Sequence, residues 1–557
     1  MSKKNKIDNI CIIEDKSDFE LICKNFNSDS NIFVPLNIET FILCKKKNLK
    51  IFDFNKFLNN EFHVRAVNET INFTKNIDFL KKIHYSLKSE IIGFLRFRLH
   101  SIILIIEIVD ILIEKFTIKN IVVSGFKEKT HSLQETKICS EIIQSLYPDL
   151  AFPILNKTKE EKDCPIHEYF YRGNIKKNKK ICISNGGYNF KRVITFFKKN
   201  DYHIYIPNFK KISFFNKIDY FFRNVKVVNF YKNKNTNILK LNFIGKINFV
   251  YKKKYDLSLI LNNFYSKLNY HFNDLNQKII VLKKFINENN FNLSISNISR
   301  GLDGSILDSD IKNPTLCIPH GVISESFNND DIIYKKIIAE GVFNGESKYF
   351  ALQSKIIQNS LKTHKIKGKG IKTGNLVFAQ NKRNYKNKKK YLLYATTLKG
   401  FKNLQYLGVD MFYEFWEIMK KLDLIAEKSK EKIVVKVHPQ MRHCKNDLIE
   451  HFKHLKFSNN RIENLLKDAT ALITLSSGTI EDALNSRVPV ILFDLKSRYK
   501  QMKCSETIEI NKAVHYINDE KKIEIVLNKI KNSTNADFEN YIFKENYEKN
   551  FLSLIKN

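Results

Sequence analysis

Two apolar runs near the C-terminal end set the terms for the fold. IVVKV (433–437) and ALITL (471–475) have the length and β-branched content of strands buried on both faces. Such strands belong to parallel sheets, and parallel neighbours need crossover helices between them. Each run ends in a polar loop, His438-Pro439 after the first and Ser476-Ser477-Gly478-Thr479 after the second. The second loop leads straight into a helix start, with Glu481 and Asp482 in its first turn. A strand, a loop of small residues and a helix N-terminus bring free backbone N–H groups to one spot, so a phosphate is the expected occupant.

The same alternation runs through the chain of 557 residues, which is too long for one core. NICIIE (9–14), NIFVPL (31–36), LKIFDF (49–54) and KNIVVSG (119–125) are separated by helical patterns. No G-x-G-x-x-G follows any of them, so a dinucleotide fingerprint is not expected. A second set opens at KKICISNGGYNF (179–190), where Gly186 and Gly187 could let a ligand approach the backbone or could simply form a tight turn. It continues through NLSISN (292–297) and PTLCIPHGV (314–322). The lysine-rich stretch 367–390 reads as the linker into the last domain, and 537–557 as a closing helix. The expected fold is therefore α/β, with an N-terminal α/β accessory region (1–175) and two Rossmann-like domains (176–378 and 388–557) facing across a cleft.

The formal charge of +36, from 94 basic and 58 acidic residues, has two readings. Lysine, asparagine, isoleucine and phenylalanine are all heavily used, as in an AT-rich genome, and part of the basicity then carries no function. Otherwise it points to phosphorylated substrates or an anionic membrane surface. Nucleic acid is not expected, because no zinc finger, RNA-recognition signature or compact arginine patch accompanies the charge. Nine scattered cysteines without a C-x-x-C pair fit reduced thiols in a cytoplasmic protein. The N-terminus lacks an apolar stretch of signal length, and SIILIIEIVDILI (101–113) is too short for a membrane span and carries Glu107 and Asp110. A core helix is expected there, with the protein peripheral, if anything, on the inner face of the cytoplasmic membrane.

Four loops that follow predicted strands carry chemistry: those around His320, Thr396-Thr397, His438-Pro439 and Ser476–Thr479. Carboxyl ends of strands are where open α/β sheets bind ligands. The expected ligand is a nucleotide, its phosphates taken by hydroxyls and backbone N–H groups of Ser476, Ser477, Gly478 and Thr479. Glu481 could accept hydrogen bonds from the ribose hydroxyls, and His438 could donate to the phosphate as charge builds on the leaving nucleotide. His320, with Gly321 beside it, has the near-neutral pKa of a general base. His438, His443, Cys444, His451 and His454 invite a metal reading, but no carboxylate or thiol pair stands at ligand spacing, and no metal or other cofactor is expected. No Walker loop or G-x-S-x-G is present.

With these residues in view, residues 290–500 resemble GT-B glycosyltransferases of bacterial surface-polysaccharide synthesis, above all CDP-glycerol glycerophosphotransferase-like and CMP-sialic acid or Kdo transferase-like enzymes. The matching pieces are IPHG (318–321), FNGESKYFAL (343–352), KTGN (372–375), LLYATT (392–397), KVHP (436–439), LSSGTIEDAL (475–484) and VPVILFD (488–494). The resemblance implies an inverting transfer of a sugar or polyol phosphate to a glycan or lipid-linked acceptor, as in capsule or lipopolysaccharide synthesis. It implies donor contacts from His438 and the Ser476–Thr479 loop, and no metal. The family's acidic base motif has only a loose echo in Leu302-Asp303-Gly304, which leaves the base open between His320 and Asp303. Residues 1–175 match no part of the family. The loop also resembles the Ser-Gly-Gly…Glu-Glu segment of UDP-N-acetylglucosamine 2-epimerases, so an epimerase, or a non-catalytic binding protein of this fold, is the alternative.

Overall fold

In the computed structural model the residues described are 5–26, 30–75, 77, 83–126, 137–156, 166–173, 175, 177–185, 190–210, 214–233, 246–319, 324–380, 390–397, 412–429, 431–497, 499–505, 507–544 and 548–556. Three mainly parallel sheets with covering helices account for most of them.

The last sheet contains the two founding runs. Its six strands, all parallel, lie in the order Lys456–Ser458, Ile433–Lys436, Tyr391–Ala395, Ala469–Thr474, Val490–Phe493, Val514–Ile517. The chain starts in the middle at Tyr391–Ala395, winds outward one way, then returns to wind outward the other way. The strand order thus reverses between Tyr391–Ala395 and Ala469–Thr474. A crevice opens at such a point because the two loops leave in opposite directions.

The middle sheet has eight strands in the order Lys369–Lys372, Tyr349–Leu352, Thr315–Cys317, Leu293–Ser296, Lys180–Ile183, His203–Asn208, Val225–Asn233, Glu168–Tyr171. Only the last pairing is antiparallel. It too is doubly wound, with its reversal between Lys180–Ile183 and Leu293–Ser296. Glu168–Tyr171, which falls within the 1–175 stretch, is an edge strand of this sheet and not of the N-terminal one. The closing helix Glu548–Lys556 also returns here: Phe551 lies 5.1 Å, ring to ring, from both Phe196 and Phe197.

The N-terminal sheet is smaller, with the parallel order Asn31–Pro35, Asn5–Ile13, Phe116–Phe126, Ala151–Asn156. Two of its helices begin at side-chain caps: Asp15 accepts from the Asp18 amide at 3.1 Å and Asn37 from the Thr40 amide at 2.9 Å. The apolar run 101–113 lies inside the helix Tyr85–Lys115, most of it buried. Its Glu107 accepts from the Tyr251 hydroxyl at 2.7 Å and pairs with Lys252 at 2.6 Å, so its charge is met by protein. No described helix is long and apolar enough to cross a membrane. Eight described cysteines are unpaired and seven of them buried.

The accessory unit bridges the other two. Phe41 meets Phe412 at a tilt and Tyr413 and Trp416 edge-on, all in the last unit, and Lys46 pairs with Asp447 at 2.6 Å. Helix Tyr85–Lys115 reaches the middle unit, where Ser86 donates to Asp308 at 2.7 Å and Arg96 pairs with Glu340. The two larger units meet at the carboxyl edges of their sheets. Ser354, just past Tyr349–Leu352, donates to Glu481, just past Ala469–Thr474, and the Ala379 amide donates to Asp482 at 2.5 Å. Val67 and Ile71 of helix Asn60–Lys75 pack with Tyr334, Leu475 and Tyr499 in the same region.

Candidate nucleotide site

At the reversal point of the last sheet, four strand ends surround a cavity of about 410 Å³. Thr396, His438, Pro439, Ser477 and Thr479 line it, as their positions after predicted strands require. Pairing holds the loops in register. The Thr474 hydroxyl donates to the Ala395 carbonyl at 3.0 Å, and the His438 amide to the Thr396 hydroxyl at 2.9 Å. Ser477 Oγ accepts from the Thr479 amide at 3.2 Å and the Thr479 hydroxyl at 2.9 Å, which fixes both hydroxyls on one side of the turn.

Positive charge at this cavity comes mainly from side chains. The helix after the loop, Thr479–Asn485, has only seven residues, so its dipole is a small part of the field. Lys436, Arg442 and Arg461 line the cavity as well. Among the described residues neither Lys436 nor Arg442 forms an ion pair. Burial and the nearby Arg442 push the Lys436 ammonium below its usual range, against the opposing pull of Asp482. Three cations against Asp482, the one carboxylate among the lining residues, favour a ligand carrying more than one negative charge.

Lys436 falls within KVHP and Asp482 in the first turn after the loop, whereas Arg442 and Arg461 belong to no motif of the sequence. Arg461 follows Lys456–Ser458, a three-residue strand with no apolar run to announce it. Asp482 sits one residue from the acid that was chosen.

That acid, Glu481, faces elsewhere. It is fully buried, takes the Ser354 hydroxyl and does not line the cavity, so it offers no oxygen to a ribose in this arrangement. Burial, with Asp482 beside it, pushes its carboxyl up to about 8, against the Ser354 hydrogen bond. Asp482, half-buried at the cavity wall, is pushed up to about 7 by burial, partly offset by the Ala379 amide and Arg192. Ser476, Gly478 and Thr397 are partly exposed beside the cavity and do not line it.

Across the junction, Asp303 occupies the corresponding reversal point of the middle sheet. It lies on the turn Gly301–Gly304 after Leu293–Ser296, and it accepts from Asn185, just after Lys180–Ile183, at 3.0 Å. Burial raises its carboxyl above the usual range, opposed by Asn185 and Lys210. His320 and Gly321, as well as Gly186 and Gly187, lie outside the described residues. Among the described residues one trio of metal-ligand type converges, His84, Asp308 and Asp310. The Lys283 ammonium stands among them, 2.9 Å from His84 Nδ1, 3.0 Å from Asp308 and 2.7 Å from Asp310.

No family model matches the chain, and no curated protein sequence does. Solved structures of similar fold include Methanocaldococcus jannaschii UDP-GlcNAc 2-epimerase in complex with UDP-GlcNAc and UDP, at 16% identity and a TM-score of 0.40 over 68% of this chain and 98% of that one. A mutant of S. aureus TarM in complex with Fondaparinux, alpha-GlcNAc-glycerol and UDP aligns at 14% identity, with a TM-score of 0.41 over 68% and 99%. Anabaena HepE in complex with UDP and glucose gives 11% identity and a TM-score of 0.36 over 68% and 95%. At scores this low the likeness says nothing of this chain's substrate or reaction.

Proposed function

We propose that the protein is an inverting transferase of GT-B type, moving a sugar or polyol phosphate from a nucleotide-activated donor to a glycan or lipid-linked acceptor of the cell surface. One observation carries the donor half of this reading. At the strand-order reversal of the last sheet, the hydroxyls of Thr396, Ser477 and Thr479, the His438 imidazole and three cationic side chains line one cavity. Hydroxyls and imidazole fit phosphate oxygens, and Lys436, Arg442 and Arg461 would neutralise a diphosphate without a metal. The surface-polysaccharide part rests on the motif order IPHG, LLYATT, KVHP and LSSGT.

In the reaction the acceptor hydroxyl loses its proton to a base and its oxygen forms the new bond to the transferred group. The bond from that group to the phosphate oxygen that stays with the nucleotide breaks, and the nucleotide leaves with the electron pair. His438 and the cations stabilise the charge that arrives on the phosphate. Asp303 is the described residue best suited as base, since its raised pKa brings it nearer to the working pH; His320 is the alternative from sequence.

A nucleotide-release assay across CMP-, CDP-, UDP- and GDP-activated donors, with glycan and polyol-phosphate acceptors, tests the proposal. Acceptor-dependent release with one nucleotide class is expected. Conversion of a UDP-sugar to its 2-epimer without acceptor would replace the transferase by an isomerase. Neither reaction, together with absent nucleotide binding by calorimetry, would leave a binding protein of this fold.

A further inference from the structure

A second cavity, of about 530 Å³, lies between the accessory unit and the middle unit. Helices Asn60–Lys75 and Tyr85–Lys115 form one side, and helix Asn329–Val342 with the 365–367 segment the other. Its described lining carries six cations, Lys75, Lys88, Arg96, Arg300, Lys365 and Lys367, against the single carboxylate Glu340. Just outside the lining, Glu90 pairs with Arg300 at 3.8 Å and Glu346 with Lys367 at 3.9 Å.

The cavity is also built rather than incidental. Arg96 is only 4% exposed and is held from both ends: its Nε donates to Thr74 at 2.9 Å and its Nη1 pairs with Glu340. Arg300 extends between two glycines. A Cβ on Gly93 would lie 3.5 Å from its Nη1, and one on Gly341 3.6 Å from its Cδ, so the side chain runs in close contact with both helices. Lys75, Lys88 and Lys365 make no ion pair among the described residues. Apolar side chains, Ile92, Phe97 and Ile337 among them, fill the walls between the charges.

We infer that this cavity binds a phosphate group carried by the acceptor. Three unpaired ammonium groups around a fixed guanidinium match the charge and the several acceptor oxygens of a phosphate. The apolar walls suit the carbon skeleton attached to it. Arg300 precedes the turn Gly301–Gly304 that bears Asp303, so an acceptor anchored here is tethered beside the base candidate. That the phosphate belongs to an acceptor, and is tethered beside the base, rests on the proposed transferase reading; the phosphate site itself does not.

Calorimetric titration of the full chain with glycerol 3-phosphate tests it for a soluble source, and sedimentation with phosphatidylcholine vesicles, with and without phosphatidic acid, for a lipid headgroup. The double variant Lys88→Gln/Lys365→Gln is expected to lose affinity for at least one probe by about tenfold or more, with an unchanged melting temperature. Lys521→Gln/Lys529→Gln, with the same charge change elsewhere, should bind as the wild type does. Ser477→Ala should also keep this binding, even if nucleotide binding is lost or never present. Whichever probe shows the loss identifies the source. Equal binding by the two double variants, a loss confined to Ser477→Ala, or no binding of either probe overturns the inference.

Discussion

His438 owes its place to Thr396, whose hydroxyl receives its amide while both line one cavity. Because the imidazole faces that cavity, His438→Ala should leave folding alone. Nucleotide release should fall on the order of 100-fold, the usual cost of removing one preorganised donor from a developing charge. An unaltered rate, or a fall in melting temperature of several degrees, would place the histidine outside the chemistry. Glu481 behaves differently. Burial lifts its pKa in the folded chain to about 8 from the ordinary 4.5, so the folded chain holds a proton there that the unfolded chain releases between those values. Stability is therefore present below about pH 4.5 and is lost as pH rises towards 8. Glu481→Gln cannot ionise, and its melting temperature should rise relative to wild type as pH goes from 5 to 9; a constant difference would contradict the burial argument. Asp482, raised to about 7 beside it, steepens the wild-type loss.

Among the elements, the closing helix Glu548–Lys556 shows how local pattern and tertiary placement part company. Its aromatic and charged alternation was legible as a helix, but nothing local says that Phe551 crosses back to Phe196 and Phe197 of the middle unit. Phe551 is fully buried, so Phe551→Ala should cost about 3–5 kcal/mol, read from the denaturant midpoint. Proteases should then cut within the loosened helix Glu548–Lys556 before they cut the last sheet; cleavage there unchanged from wild type would argue against the docking. The helix Thr479–Asn485 gives the matching lesson for the site. Successive residues turn by about 100°, so Thr479 and Asp482 share the cavity face while Glu481 turns towards Ser354. The sequence places both acids in the first turn, and only the packing partner decides which one meets the ligand.

For the molecule as a whole, the N-terminal unit is structural to the rest. One continuous core includes Ile103 and Leu104 of its long helix, Leu268 and Phe272 of the middle unit, and Trp416 and Met419 of the last. Removing residues 1–156 would expose that surface, and the remaining chain should be recovered only as aggregate. A soluble, monomeric fragment that binds nucleotide with wild-type affinity would show the unit to be a detachable appendage.

Runs such as IVVKV and ALITL determined by themselves that parallel sheets would form, since strands that apolar on both faces need cover from helices on each side. Small polar loops after them determined that phosphate chemistry would sit at strand ends. Chain order then restricted the candidates to a few loops. What the tertiary structure alone decided was adjacency. Strand order sets which two loops part to open a cavity, and that order depends on how crossovers pack over long sequence separations. The same long-range packing brought Arg442 and Arg461 to the donor cavity, turned Glu481 into the interdomain junction, and set three cations from an unmatched N-terminal region against three of the middle unit.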